Sequence, residues 1–189
     1  MNNTIKMIFV FTLGVLFLVF SGAGHCAMLS LSPEELTDDS DEVIIGRVIS
    51  KDSHWNEDAT AIVTDVKVQI NEVLKGEDIE NPVTIEILGG VVGEMEMKVS
   101  DAAFFEQNEE VVLFLSDSDL NIKAKELTGN VQGKYSIKEN LLTGQKEVES
   151  AGGVRVSKVG QVSVESSQPI AYDEFIGQIK QVILDAQEE

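Results

Sequence analysis

VIIGRVISKDSHWNEDATAIVTDVKVQINEVLKG, residues 43–76, decides the fold: it reads as two strand-like segments separated by a polar loop. In its second half Ile62, Thr64, Val66, Val68 and Ile70 alternate with Val63, Asp65, Lys67 and Gln69. That period of two marks a half-buried strand. Glu72-Val73-Leu74-Lys75-Gly76 ends it on a glycine that allows a sharp exit. A strand this long coils, and a coiled sheet is the start of a small barrel. In the first half Val43 to Ile49 reads as a strand, with Gly46 in its interior predicting a bend, a bulge or a close backbone approach. Residues 51–58 read as a loop carrying His54 and Trp55, the only tryptophan of the chain. A tryptophan on such a loop suits a binding hot spot, or a lid over one barrel end.

Upstream of this core lies a leader. Lys6, the apolar run from Ile8 to Phe20 and the small residues Ser21-Gly22-Ala23-Gly24 predict a cleaved export signal over residues 1–27. The expected address is therefore secreted or cell envelope, with prokaryotic origin favoured because disulfides are impossible with Cys26 alone. Membrane attachment enters only if the leader stays uncleaved or Cys26 is lipidated, and His25 stands where lipidation requires a small residue. Removing residues 1–27 removes one lysine, leaving 33 acids against 13 Lys and Arg, a formal charge of −20. So acidic a surface repels phosphate backbones and anionic membranes, which excludes nucleic acid as an expected partner. A salty habitat is a second reading of the same acidity.

The chain after the leader has room for one core. Ser32-Pro33-Glu34-Glu35 forms a capping box with proline at the first helical position, predicting a short helix that ends near residues 38–41. Val83 to Ile87 is a third strand, and Val111-Val112-Leu113-Phe114-Leu115, with no polar residue at all, is the candidate for the most buried one. Gly89-Gly90-Val91-Val92-Gly93 is glycine-rich, but it runs on into Glu94-Met95-Glu96-Met97 rather than a helix with a Lys-Ser/Thr pair, so a hairpin or loop is expected, not a phosphate cradle. Residues 117–121 begin like a calcium loop but lack its glycine and terminal glutamate, and predict a plain turn. Residues 129–137 read as a strand with Val131, Gly133, Tyr135 and Ile137 on one face, and Leu142-Thr143-Gly144-Gln145 as a hairpin turn. Phe175, Ile176, Ile179, Val182, Ile183 and Ala186 make one apolar stripe of a closing helix, predicted to pack on the domain.

Catalytic constellations are not legible. His25 and His54 are the only histidines, no serine sits in a nucleophile elbow, and carboxylates are too abundant for any pair to carry meaning. A non-enzymatic protein without metal or cofactor is the expectation.

Taken together, the acidic turn, VIIGRV, the strand ending EVLKG, the strand ending in a Gly-rich loop, and FFEQNEEVVLFL resemble the netrin-like module of tissue inhibitors of metalloproteinases. More closely they resemble exported prokaryotic proteins of the same layout. The resemblance spans about residues 32–135. It implies a small OB-like Greek-key β-barrel, so with the short N-terminal helix and the C-terminal amphipathic helix read above the expectation is a mainly β protein. The expected division is a barrel domain over 28–140, a hairpin or linker over 141–170, and the helix over 171–189. It also implies a protein partner, a secreted zinc metallopeptidase among the candidates; the preferred expectation is a binding module whose loops 51–58 and 89–93 form one rim, with His54, Trp55, Gly89, Gly90 and Gly93 on it. The animal inhibitors chelate zinc through a disulfide-bonded N-terminal Cys-x-Cys, and this chain has no such pair. The other reading of function is a structural or assembly component of the envelope, associating through the C-terminal helix or a strand edge.

Overall fold

Residues 30–118, 124–151 and 169–188 are described by a computed structural model. The leader with Cys26, part of the 117–121 turn and the polar stretch 157–168 lie outside the described residues. In chain order the elements are α1 (Pro33–Asp39), β1 (Glu42–Trp55), β2 (Ile62–Lys75), β3 (Val83–Leu88), β4 (Gly90–Val92), β5 (Met95–Met97) and β6 (Glu110–Asp117). After these come β7 (Lys125–Leu127), a 3-10 turn (Asn130–Gly133), β8 (Lys134–Glu139), β9 (Lys146–Ser150), β10 (Ile170–Ala171) and α2 (Tyr172–Gln187).

The alternation in residues 62–70 puts Val66 and Val68 inside and leaves Lys67 and Gln69 exposed. β2 pairs antiparallel with β1 on one side and β3 on the other. β6 pairs with β1 from Glu42↔Leu115 to Arg47↔Glu110, and β7 joins antiparallel β6 to parallel β3 at Ile85↔Lys125. The order β1-β2-β3-β7-β6 thus returns to β1 and closes a five-stranded, OB-like Greek-key barrel. Its interior holds Ile44, Val48, Val66, Val68, Val83, Ile85, Val111, Leu113 and Leu115, with Ala103 and Phe105 packed among them.

Closure depends on coiling, and β1 has the irregularities that produce it. Its register with β2 shifts between Val43 and Ile44, between Ile45 and Gly46, and between Val48 and Ser50. Bulges of this kind bend a strand and increase its twist. Gly46 lies at one shift, where a Cβ would come within 2.5 Å of Val68 Cγ1 and 2.7 Å of the Gln69 carbonyl oxygen. The close approach expected of it is therefore real.

A second core lies on the outside of β1 and β6. Only the last residues of β6, Leu115–Asp117, pair with β7; the first, Glu110–Leu113, pair on the same edge with β8. The sheet therefore branches at β6 and continues through β9 to β10. Over this extension lie α1 and α2, burying Leu36, Phe175, Ile176 and Ile179 against Val43, Ile45, Val112, Phe114, Tyr135, Ile137 and Val148. Phe114, Tyr135 and Phe175 form an aromatic trio, with Phe114 edge-on to both neighbours at centroid distances of 5.7 and 6.5 Å. The unbroken apolar run of β6 is explained: alternate residues fill the barrel and the second core, so neither face meets water. The α1 capping box forms as expected, Glu35 N–H donating to Ser32 Oγ and Ser32 N–H to Glu35 Oε2.

Three local expectations are corrected. Residues 51–55 are strand, not loop, since β1 runs unbroken to Trp55. The bulge at Ile49 exchanges the two faces, so Lys51 and Ser53 turn inward beyond the apolar core and the alternation becomes unreadable. The strand predicted over 129–137 begins only at Lys134. Gly129 has φ +65° and a Cβ on Gly133 would meet the Thr128 carbonyl oxygen at 2.4 Å, so the chain winds into a 3-10 turn first. The barrel-closing β7 has no counterpart in the predicted elements; with three residues, it is too short to show a period.

One charge is carried into the interior beside this branch. Lys134, with a side chain 4% exposed, donates to Glu109 Oε1 at 2.7 Å and lies 4.9 Å from the Phe105 ring centroid. Burial lowers the Lys134 ammonium below its ordinary pKa. Burial pushes Glu109 up, but Lys134, the Ser136 hydroxyl and the Glu106 N–H together hold it below the usual carboxylate value. Lys134→Met strands the carboxylate and is expected to cost about 3–5 kcal/mol in urea denaturation. Lys134→Met combined with Glu109→Gln recovers more than half of that loss; a double variant no more stable than the single one would show that the ion pair is not what the site needs.

Candidate functional site

The end of the barrel at the β1–β2 turn is open. β3 and β7 touch at a single pair, Ile85↔Lys125, and separate beyond it. Between them lies a cleft of about 640 Å³. Glu86, Ile87 and Leu88 of β3 form one wall and Glu126, Leu127 and Asn130 the opposite one. Val63, Val99, residues 101–103 and residues 54–58, at the end of β1 and in the β1–β2 turn, complete its lining.

The turn is built by one asparagine. Asn56 Oδ1 accepts from the backbone N–H groups of Thr60 and Ala61 at 2.8 and 3.0 Å, and its own backbone N–H donates to the Ala61 carbonyl. Such asparagine-centred turns fix a loop without a core of its own. They hold Trp55, paired with Ile62 at the end of the β1–β2 ladder, over the cleft with 38% of its surface exposed. Leu88, at the opposite wall, is 46% exposed.

His54 lies beside it on the outer face of the sheet. Its Nδ1 is 2.9 Å from the Trp55 carbonyl oxygen and its Nε2 is 3.2 Å from Asp65 Oδ2. The Trp55 carbonyl first, and then the Asp65 carboxylate, with Glu86 adding to it, favour the imidazolium and raise the pKa above 6.5, against an opposing effect of burial. Asp65 Oδ1 is buried and accepts no hydrogen bond among the described residues. His54 is thus the only ion-pairing partner that Asp65 has among them.

The glycines are placed differently from His54 and Trp55. Gly89 N–H donates to the Ile62 carbonyl at 2.8 Å, and Thr64 Oγ1 donates to the Gly89 carbonyl at 2.6 Å. Gly90 lies so close to the Ser53–Thr64 hydroxyl pair that a Cβ would come within 2.4 Å of Thr64 Oγ1. These two residues seat the β4–β5 hairpin across the β1–β2 ribbon, as only a residue without a side chain can at that distance. Gly93, φ +62°, forms the hairpin's tip, with open space around it. The hairpin and the β1–β2 turn are neighbours, then, but only His54 and Trp55 of the five candidate residues line the cleft. Glu57, Asp58, Glu86, Asp101 and Glu126 also line it, and nothing in their sequence context singles them out from the other 28 acids.

Among the described residues no group of His, Cys, Asp and Glu side chains is arranged to hold a metal ion, and no helix is long and apolar enough to cross a membrane. No protein-family model matches the chain, and no curated protein matches it.

Protonated His54 stabilises the fold only while it is charged. Its raised pKa makes that contribution complete below about pH 6.5 and lost as pH rises through the folded-state midpoint. An NMR titration of the His54 ring is expected to show a midpoint above that of a free histidine, and Asp65→Asn to bring it down; an unchanged midpoint in the variant would remove Asp65 from the explanation.

Proposed function

We propose that this chain is an exported, non-enzymatic binding module that contacts a protein partner through the cleft mouth at Trp55. The observation that carries the reading is the cleft itself: a closed barrel has packed its interior, yet leaves about 640 Å³ open at one end beneath its only tryptophan. Concave sites with an aromatic anchor and a few polar groups are where proteins recognise ligands and partner side chains. The cell envelope or the exterior is the proposed address, from the leader. A secreted zinc metallopeptidase, inhibited or assisted, is the proposed partner class. It comes from the netrin-like resemblance, and the barrel topology agrees with that resemblance. The chain's single cysteine supports no zinc chelation by a disulfide-bonded Cys-x-Cys, so contact here runs through the barrel end.

The assembly reading has one observation of its own. Leu141 and Leu142, at the tip of the β8–β9 turn, are each 97% exposed, an unusual position for two adjacent leucines. Its original support is weaker, because the C-terminal stripe is committed to the second core through Phe175, Ile176 and Ile179. Replacing both leucines with serine leaves a monomer unchanged in sedimentation; if the wild-type chain sediments as an oligomer and this variant does not, the turn is an assembly contact.

Capture from the host's envelope and culture supernatant, with mass spectrometry of what is retained, tests the preferred reading. Trp55→Ala is expected to weaken the retained partner by about 2 kcal/mol or more, roughly thirtyfold. Its unfolding free energy stays within about 0.5 kcal/mol of wild type, as for other surface changes. Equal retention by the variant would sink the reading.

A further inference from the structure

Five carboxylates line the cleft, against a single titratable base, His54, which is itself paired with Asp65. Glu57 and Asp58 come from the β1–β2 turn, Glu86 from β3, Asp101 from the segment after β5 and Glu126 from β7. No lysine or arginine lines it. Elsewhere on the molecule bases lie beside some of the acids: Arg47 and Lys146 beside Glu110, Lys125 beside Glu42 and Asp117, Lys180 beside Glu72. Among the described residues Glu57, Asp58 and Asp101 form no ion pair. Between these carboxylates are apolar surfaces, Leu88 and Val99, and the exposed indole of Trp55.

We propose that the cleft docks a basic segment of the protein partner, an extended stretch in which arginines or lysines alternate with apolar residues. The inference rests on the binding-module reading and names the chemistry of what binds. Charge complementarity selects the cation: potentials of opposite sign across an interface steer encounter and reject like-charged competitors. The apolar floor takes the intervening side chains, and a guanidinium or ammonium over the Trp55 face gains a cation–π contact. An anionic partner would meet carboxylates on every side of the opening.

Trp55, the only tryptophan, lets the full-length chain report on this site by its own fluorescence. The probe is an acetylated, amidated heptapeptide alternating arginine with leucine, and the control replaces arginine with glutamate. The basic peptide is expected to shift Trp55 emission saturably, and the acidic one to leave it unchanged. Raising salt from about 0.1 M to about 1 M shortens the screening length from about 10 Å to about 3 Å and weakens binding at least tenfold. The pair Glu57→Lys and Asp58→Lys, both exposed turn residues, weakens it by a similar factor. Reversing Asp38 and Asp39, equally exposed at the end of α1, leaves it intact. Silence of the basic peptide, or equal loss from both charge reversals, overturns the proposal. A captured partner that depends on Trp55 but is indifferent to the Glu57/Asp58 reversal also overturns it, while leaving the binding-module reading standing. Capture that is indifferent to Trp55→Ala removes both.

Discussion

The pairing of β1 with β6 is the constraint on which the rest of the molecule depends. Six residue pairs, Glu42↔Leu115 through Arg47↔Glu110, close the barrel. The same two strands supply the floor of the second core, so Val43, Ile45, Val112 and Phe114 are as inaccessible as Ile44, Val48, Val111 and Leu113 on the other face. A side chain of this size fully removed from water contributes about 1.5–3 kcal/mol. Concentrating that burial on two adjacent strands makes their register the least negotiable feature of the fold, because a one-residue slip would exchange the contents of the two cores.

The accessible surface of the barrel lies on the other side as a result. With β1 and β6 covered by α1, α2 and the β8–β9 extension, the uncovered surface of the barrel is that of β2 and β3, and its open end is where β3 and β7 diverge. Oligonucleotide-binding barrels of this topology use the corresponding face and neighbouring loops. Here the cleft between β3 and β7 is lined with carboxylates, the opposite of the basic lining that a nucleic acid requires.

How much of this was legible in the sequence depends on whether a residue's role was expressed locally. The period of two in residues 62–70, the Ser32–Glu35 capping box and the unbroken Val111–Leu115 run each state their pattern within a few residues and match the structure, and the stripe of α2 does so through Ile179, while Val182 and Ile183 are half-buried and Ala186 is exposed. Gly46 could be read as a close approach because no side chain fits against Val68. The misreadings have a common origin in features spread over distance. The bulge at Ile49 shifts the phase of β1, so residues 51–55 look like a loop; β7 is defined by partners, not by its own three residues. The 3-10 turn at 130–133 owes its shape to Gly133 packed against Thr128 and Phe114 backbone. Of the candidate site, Trp55 was conspicuous for its rarity, whereas the acids that share its cleft are brought together only by the divergence of β3 from β7.

A helix more than a hundred residues downstream covers the first strand. Val43 and Ile45 begin the barrel, but their outer face is sealed by Phe175, Ile176 and Ile179, well over a hundred residues later. A chain emerging in order from its amino end can form the β1–β2 ribbon at once, yet must hold an apolar surface open until α2 arrives. Contacts so distant in sequence slow folding and lengthen the life of sticky intermediates. The outer face of Val43 and Ile45 is therefore covered late, when α2 packs on it.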